Sequence, residues 1–551
     1  MKKRIFFISI FFAFLYLALI SNIYNLQIAK GSYYSARAAA QNQVSGLLSA
    51  VRGDIYFMDK DGNLFPAAIN KKYYVIYAVP KEISAGGENA INQASEKIGA
   101  ALNLDKGKLA TYFSSKTSLY YLILKKADQN QADAIKQLGI AGIYIGSENL
   151  RYYPFNSIAS QLLGFVSQSS DSNIVSGKYG AEVYFDDTLA GKNGELKGDK
   201  IINAQDGNDV VLTIDPTVHE RSESILDGLI SQFKAEGGSV IVQDPKTGRI
   251  IAMGSFPNFD PNNFSASPIQ NFINPVVQSL YEPGSVFKVL TMAAGLDAGK
   301  FTPDTTYVDK GFIKVDGYTI SNWDASERGA HGLTTMTGVI EDSLNTGAAF
   351  AENLIGRDLF YNYLIKFGFN DLTGIKLPGE VSSNISKLKT SSAAVDFATA
   401  SFGQGIAVTP IAMINAFSAI ANGGQLMRPI ILASDKPQVI RQIVSKDAAT
   451  QAVKMMVSAV DVNVLAHIPG YYVAGKTGTA QIPTRGGYLY NQFIDTYIGF
   501  APAYNPKFVI LIKLDKAAGG LLAGATVVPA FKDLADFLLN YYNVPPDYIN
   551  K

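Results

Sequence analysis

The chain is 551 residues long with a formal net charge of +1 and 17% charged residues, so its composition points to no polyanionic partner and no nucleic acid. It has no cysteine, which excludes disulfides, thiol catalysis and cysteine metal sites. Its only histidines, His219, His331 and His467, show no metal-binding spacing and read as structural, so neither metal nor cofactor is expected. The length allows about two or three domains.

Met1-Lys2-Lys3-Arg4 is basic, and Ile5 to Ile20 is apolar except for Ser9. A helix of about twenty residues spans roughly 30 Å, the thickness of a bilayer core. The basic start places that end in the cytoplasm. The alternative is a cleaved signal peptide, but the small-x-small site Ala36-Arg37-Ala38 lies far beyond the apolar run. The expectation is an uncleaved signal anchor over residues 1–24, in the cytoplasmic membrane, with the bulk of the chain outside the cytoplasm. Residues 25 to about 50 read as a helical stalk.

Asp59-Lys60-Asp61-Gly62-Asn63 imitates a calcium loop, but Asn70 stands where a bidentate Glu is needed, so it reads as a hairpin turn. Residues 70–205 mix strands, such as Tyr73–Val79, with helices, such as Asn130–Leu138 and an amphipathic candidate over 90–110. No catalytic constellation appears there, so residues 25–205 read as a pedestal and interaction module. The turn cluster Asp206-Gly207-Asn208-Asp209 marks a boundary. Beyond it, over 206–551, come a strand at Val210–Ile214 and a helix capped by Asp215 that runs to about Phe233. A hairpin follows over Ser239–Met253, then the stretch around Ser285. A mostly helical region is expected to about 430, then strands at Tyr472–Ile482, Tyr497–Phe500 and Phe508–Leu514, and a last helix over Pro529–Tyr542. Strands at both ends with helices between give an α+β domain with one antiparallel sheet.

Chemistry concentrates in three short stretches. In Glu282-Pro283-Gly284-Ser285-Val286-Phe287-Lys288 the Pro-Gly pair breaks the preceding chain and an apolar run follows, as at a buried helix start. Ser285 and Lys288 are three apart and share a helical face. Burial and the helix dipole disfavour the ammonium, and an amine kept neutral can take the serine proton. Backbone N–H groups at the helix start can hold an oxyanion. Spacing alone does not single this pair out, since Ser231…Lys234 and Ser386…Lys389 share it. Ser343-Leu344-Asn345 and Lys476-Thr477-Gly478-Thr479 follow in order. Other copies fit less well: Ser147 and Lys246 precede Ser285, and Ser382-Ser383-Asn384 follows a loop.

With these three elements in this order, the chain resembles a class B penicillin-binding protein, a monofunctional peptidoglycan D,D-transpeptidase. The resemblance extends to Arg52-Gly53-Asp54, Arg151-Tyr152-Tyr153-Pro154, Gly180-Ala181-Glu182 and Ser401-Phe402-Gly403-Gln404-Gly405. Tyr281-Glu282-Pro283-Gly284-Ser285 is similar to the division (septal) branch. Departures are Ala412 and Asn274-Pro275, where relatives often carry other residues. The resemblance implies the penicillin-recognising transpeptidase fold behind an anchor and an elongated α+β pedestal. It implies crosslinking of peptidoglycan stem peptides with release of terminal D-Ala, and covalent inhibition by β-lactams. A membrane glycosyltransferase and other division or elongation proteins are the implied partners. Ser285 would be the nucleophile and Lys288 its base, with Ser343 relaying a proton and Asn345 binding the donor amide. Lys476 would supply charge towards the substrate carboxylate, and Thr477 and Thr479 would hydrogen-bond it. Gly478 would let the substrate backbone approach, and the N–H groups of Ser285 and Thr479 would form the oxyanion hole. The rival readings are a carboxypeptidase or β-lactamase, in which water is the acceptor, and a catalytically weak scaffold or sensor. Glu341 imitates a β-lactamase base but shares its segment with Ser343.

Overall fold

The computed structural model describes residues 12, 14–17, 19–20, 50–168, 175–197, 200–484 and 487–548. The expected anchor and stalk therefore lie outside the described residues, apart from the few helical positions within 12–20. Among the described residues no helix is long and apolar enough to cross a membrane. The chain divides into two units, residues 1–53 with 187–209, and residues 54–186 with 210–551. In the first, the Gly53 N–H donates to the Leu189 carbonyl (2.8 Å) and the Val51 N–H to the Asp206 carboxylate (2.8 Å).

The second unit holds two five-stranded sheets. The first begins with a hairpin of β1 (Ile55–Met58) and β2 (Leu64–Ala78). The Asp59 carboxylate accepts the N–H groups of Asp61 and Asn63, so the acidic loop is a turn, as expected. The helix expected over 90–110 is instead two, α1 (Gly87–Leu102) and α2 (Lys106–Phe113). Asn103 ends α1 in the left-handed region (φ 53°), and the Asp105 side chain starts α2 by accepting the Lys108 N–H at 2.7 Å. Then come β3 (Tyr121–Ala127), α3 (Gln129–Leu138) with an Asp128–Gln131 capping box, and β4 (Ile143–Tyr152). Ile76, Ile98, Phe113 and Ile135 form the core between sheet and helices.

The strand expected to open the catalytic domain, β5 (Val210–Leu212), pairs parallel with β1 and completes this first sheet. Its neighbour Asp54 shows why: β1 has a free edge there, and the Asp54 carbonyl accepts the Val210 N–H at 2.9 Å. At the end of β4, Arg151 Nε lies 2.7 Å from Glu182 Oε1, with the Tyr153 hydroxyl 3.2 Å from the same oxygen. Glu182 is fully buried, and burial together with that carboxylate pushes the Tyr153 phenol well up.

The second sheet starts after α4 (Pro216–Phe233), which Asp215 caps, with the hairpin β6 (Gly237–Gln243) and β7 (Ile250–Phe256). Helices α5 (Lys288–Asp297), α6 (Met336–Glu341), α7 (Asn345–Ile355), α8 (Pro410–Ala421) and α9 (Lys446–Asn463) follow. The chain returns through β8 (Ala474–Thr484), β9 (Gly487–Ala501) and β10 (Phe508–Asp515) and ends with α10 (Val527–Tyr541). The antiparallel order is β7-β6-β10-β9-β8, so β8 is an edge strand. Leu226, Val240, Val242, Ile510, Ile512, Phe531 and Leu538 fill the space under α4 and α10.

The region between α5 and α6 is not helical. Thr306–Asp309 pairs with Gly332–Thr335, and Phe312–Val315 with Tyr318–Ser321. The second hairpin turns on Asp316 (φ 49°) and Gly317 (φ 84°), both at positive φ as a primed two-residue turn requires.

Candidate active site

The nucleophile segment enters as a 3-10 turn over Gly284–Phe287 and becomes α-helical only at Lys288. Gly284 has φ 61°, and its N–H donates to the Gly403 carbonyl at 3.1 Å. A Cβ on Gly403 would lie 2.3 Å from the Gly284 carbonyl oxygen, which accounts for glycine in Ser401-Phe402-Gly403. Within Tyr281–Leu290 only Ser285 is not buried. Its hydroxyl has no hydrogen-bond partner among the described residues, as a nucleophile awaiting substrate should be.

Lys288 is wholly buried. Its amine makes no hydrogen bond to Ser285, although the i,i+3 placement suggested one; it turns to Ser343, 2.5 Å from the carbonyl oxygen and 3.3 Å from Oγ. Ser343 can present both groups because it sits at φ 57°, a strained conformation for a non-glycine residue. Lys476 Nζ approaches the same Oγ at 2.9 Å and also lies 3.2 Å from Thr477 Oγ1. Two buried amines therefore share one hydroxyl. Burial first, and the Lys476 charge second, hold the Lys288 amine well below its ordinary value, opposed by Asp324. Burial brings Lys476 down to about 7.

β8 lies against the nucleophile turn. A Cβ on Gly478 would meet the Pro283 carbonyl oxygen at 2.8 Å and Val286 Cγ1 at 3.1 Å. Gly478 thus permits a close approach to the nucleophile segment itself. A Cβ on Gly284 would lie 3.3 Å from the Thr479 carbonyl oxygen, which brings the Thr479 backbone beside Ser285. The Thr479 hydroxyl, expected on the substrate carboxylate, is engaged elsewhere: it donates to Asp495 Oδ1 (3.2 Å) and accepts the Ala523 N–H (3.1 Å). Asn345 is the first residue of α7 rather than part of a loop, and its amide donates to the Ser321 carbonyl at 2.9 Å.

The decoys stay apart from this cluster. Lys246 reaches Asn505 from an exposed turn, and the Ser386 hydroxyl donates to Asn384. The Glu341 carboxylate accepts from the Ser458 hydroxyl. His219, bonded to Glu223 and the Met253 N–H, is structural as expected. The His331 side chain is 2% exposed and lies between Asp324 Oδ2 (2.9 Å) and Asp342 Oδ2 (3.3 Å), and Asp342 directly precedes Ser343. The Asp342 carbonyl accepts from Trp323 Nε1 at 3.0 Å. The signal was the only tryptophan of the chain beside an acid, with a histidine shortly after.

The transpeptidase domain of penicillin-binding proteins matches residues 238–536, and the penicillin-binding protein dimerisation domain matches residues 47–214. The chain is 31% identical to stage V sporulation protein D of Bacillus subtilis (strain 168), over 96% of this chain and 83% of that protein. It is 27% identical to the peptidoglycan D,D-transpeptidase FtsI of Escherichia coli (strain K12), over 91% and 85%. Among solved structures it shares the fold of penicillin-binding protein 2X from Streptococcus thermophilus, with a TM-score of 0.74 over 90% of this chain and 80% of that one, at 24% identity. A peptidoglycan synthetase from Bifidobacterium adolescentis ATCC 15703 superposes with a TM-score of 0.68 over 92% and 97%, at 26% identity. Three motifs far apart in sequence meet at one site inside the transpeptidase match, with the dimerisation match before it: the chain belongs to the penicillin-binding protein transpeptidases.

Proposed function

We propose that this chain crosslinks peptidoglycan stem peptides through an acyl-enzyme on Ser285, releasing terminal D-Ala, and that β-lactams acylate the same serine. The observation that carries this reading is the meeting of Lys288, Ser343 and Lys476 at one hydroxyl beside an unpartnered Ser285. Ser285 attacks the D-Ala-D-Ala carbonyl. Its proton passes to the neutral Lys288 and on through Ser343 to the leaving amine. The N–H groups of Ser285 and Thr479 hold the oxyanion. Lys476 and Thr477 take the substrate carboxylate, Asn345 holds the donor amide, and Gly478 keeps β8 against the turn.

The acceptor is an amine rather than water. Glu341, the one carboxylate in a lactamase-like pattern, is held by Ser458, so no base from that pattern stands over the ester. Product analysis with a donor and an acceptor stem peptide tests this directly. Residues 25–205 act as the pedestal and 206–551 as the catalytic domain. A signal anchor over 1–24 holds the enzyme to the cytoplasmic membrane beside its polymer, supported by the basic, apolar start. A septal role fits the likeness to a peptidoglycan D,D-transpeptidase FtsI, and a membrane glycosyltransferase is the partner that the family resemblance implies.

The charge on Lys476 gives this reading a pH signature. With its pKa at about 7, Lys476 is an ammonium below that pH and an amine above it. The second-order rate of acylation by penicillin, whose carboxylate needs that charge, should fall above about pH 7 by up to about ten-fold per unit. A Lys476→Arg variant stays charged throughout, so whatever activity it keeps should lack that alkaline fall. A wild-type rate flat from pH 6 to 9 would contradict the role given to Lys476.

A further inference from the structure

The proposed reaction gives the Thr479 backbone N–H half of the oxyanion hole, and β8, which carries it, is an edge strand with a neighbour on one side only. Something must hold that edge. Thr479 stands opposite Asp495 on β9, so their side chains share a face. Asp495 is 1% exposed, and both of its oxygens are used: Oδ1 accepts from the Thr479 hydroxyl at 3.2 Å and Oδ2 from the Thr526 hydroxyl at 2.9 Å. Thr526 precedes α10, and Ala523 in the same segment donates its N–H to Thr479 Oγ1 at 3.1 Å. We propose that Asp495 is a positioning residue for the oxyanion hole, its carboxylate clamping Thr479 on the edge strand to the segment before α10. This inference rests on the acyl-enzyme reading above.

A buried carboxylate satisfied only by two hydroxyls is an unusual choice for a merely structural contact, because desolvating the charge is costly and a neutral amide could fill the place. Burial pushes the Asp495 carboxyl up to about 6, against the pull of both hydroxyl donors. No charged side chain lies within ion-pair distance of it among the described residues. Leu514 of β10 faces it across the sheet, while Lys513 and Asp515 project from the other face and pair with each other. Lys516, in the following loop, pairs with Glu236. Tyr497, two residues on along the same face, carries a phenol that burial keeps neutral. The titration therefore belongs to the clamp. Below about pH 6 the carboxyl takes a proton and becomes a donor at one oxygen. It can then no longer accept from both hydroxyls, and the hold on Thr479 loosens.

The experiment measures acylation by a fluorescent penicillin on the full-length protein in detergent, resolved into its binding and chemical steps, from pH 5 to 8. The wild-type chemical step should fall as pH drops through about 6. Asp495→Asn keeps an acceptor for Thr479 but no titrating charge, so it should retain most of the rate at pH 7.5 and lose that acid inflection. Asp495→Ala and Thr526→Val should lower the chemical step by roughly ten-fold or more with binding little changed, the pattern of a weakened oxyanion donor. Melting curves report whether each variant folds; Asp495→Asn and Thr526→Val decide the matter if Asp495→Ala does not. Wild-type rates and an unchanged acid inflection in the Asn and Val variants would overturn the proposal while leaving Ser285 in place. Normal labelling of Ser285→Ala would instead remove the reaction on which it rests.

Discussion

A Ser285→Ala variant takes no covalent label from a fluorescent penicillin, while Ser231→Ala and Ser386→Ala label as the parent does. All three serines precede a lysine by three residues, so sequence spacing gives them equal standing. Their surroundings do not. Lys234 is the left-handed cap that ends α4, at φ 50°, and the Ser386 hydroxyl is already committed to Asn384 at 2.7 Å. Ser285 alone adjoins a buried amine held well below its ordinary value, and removal of a serine nucleophile costs roughly four orders of magnitude or more in rate. The parent's label should last many minutes, because general base catalysis, worth about 10²- to 10⁴-fold, is not supplied to water by Glu341. Persistent label on Ser285→Ala would place the nucleophile elsewhere, and rapid release of hydrolysed penicillin by the parent would make the protein a lactamase.

The largest effect on folding is expected at Glu182. Its carboxylate is fully buried, 2.7 Å from Arg151 Nε, and the Arg151 side chain is 3% exposed. Glu182→Ala removes the carboxylate and leaves the guanidinium in a site that cannot hydrate it. Breaking a buried pair from one side costs about 3–5 kcal/mol. That is a large share of the roughly 5–15 kcal/mol that holds a domain together. Glu182→Gln keeps the shape and an acceptor for Arg151 and Tyr153, so it should lose less. Urea unfolding followed by tryptophan-independent far-UV circular dichroism measures both. A Glu182→Ala midpoint equal to that of the parent would show that the remaining partners of Arg151, among them the Asp54 carboxylate 3.5 Å from Nη1, suffice.

The elements whose signals are local were legible in the sequence. The Asp215 cap, the hairpin around Asp244–Gly248 and the apolar strands β6 and β10 appear close to where they were expected, because caps, turns and fully buried runs leave marks on adjacent residues. What was missed depends on distant partners. Val210–Leu212 reads as a strand but gives no hint that β1, more than a hundred residues earlier, is its neighbour. The strands between 306 and 335 fall in a stretch expected to be mostly helical, although Asp316-Gly317 between alternating residues carried the turn. In the site, residue identities were legible and directions were not. Lys288 was expected to reach Ser285 and reaches Ser343. Gly478 was expected to admit substrate, and no local signal showed that its missing side chain also makes room for the Pro283 carbonyl. The Thr479 hydroxyl was expected on the substrate and is held by Asp495. Each depends on how an edge strand meets a helix start, which no single stretch encodes.

Product analysis with one donor and one acceptor stem peptide tests the central claim most directly. Full-length wild-type protein should form crosslinked dimers with one D-Ala released per crosslink, and Ser285→Ala should form none. Release of D-Ala with only shortened, uncrosslinked donor peptide would show that water is the acceptor and contradict the transpeptidase account.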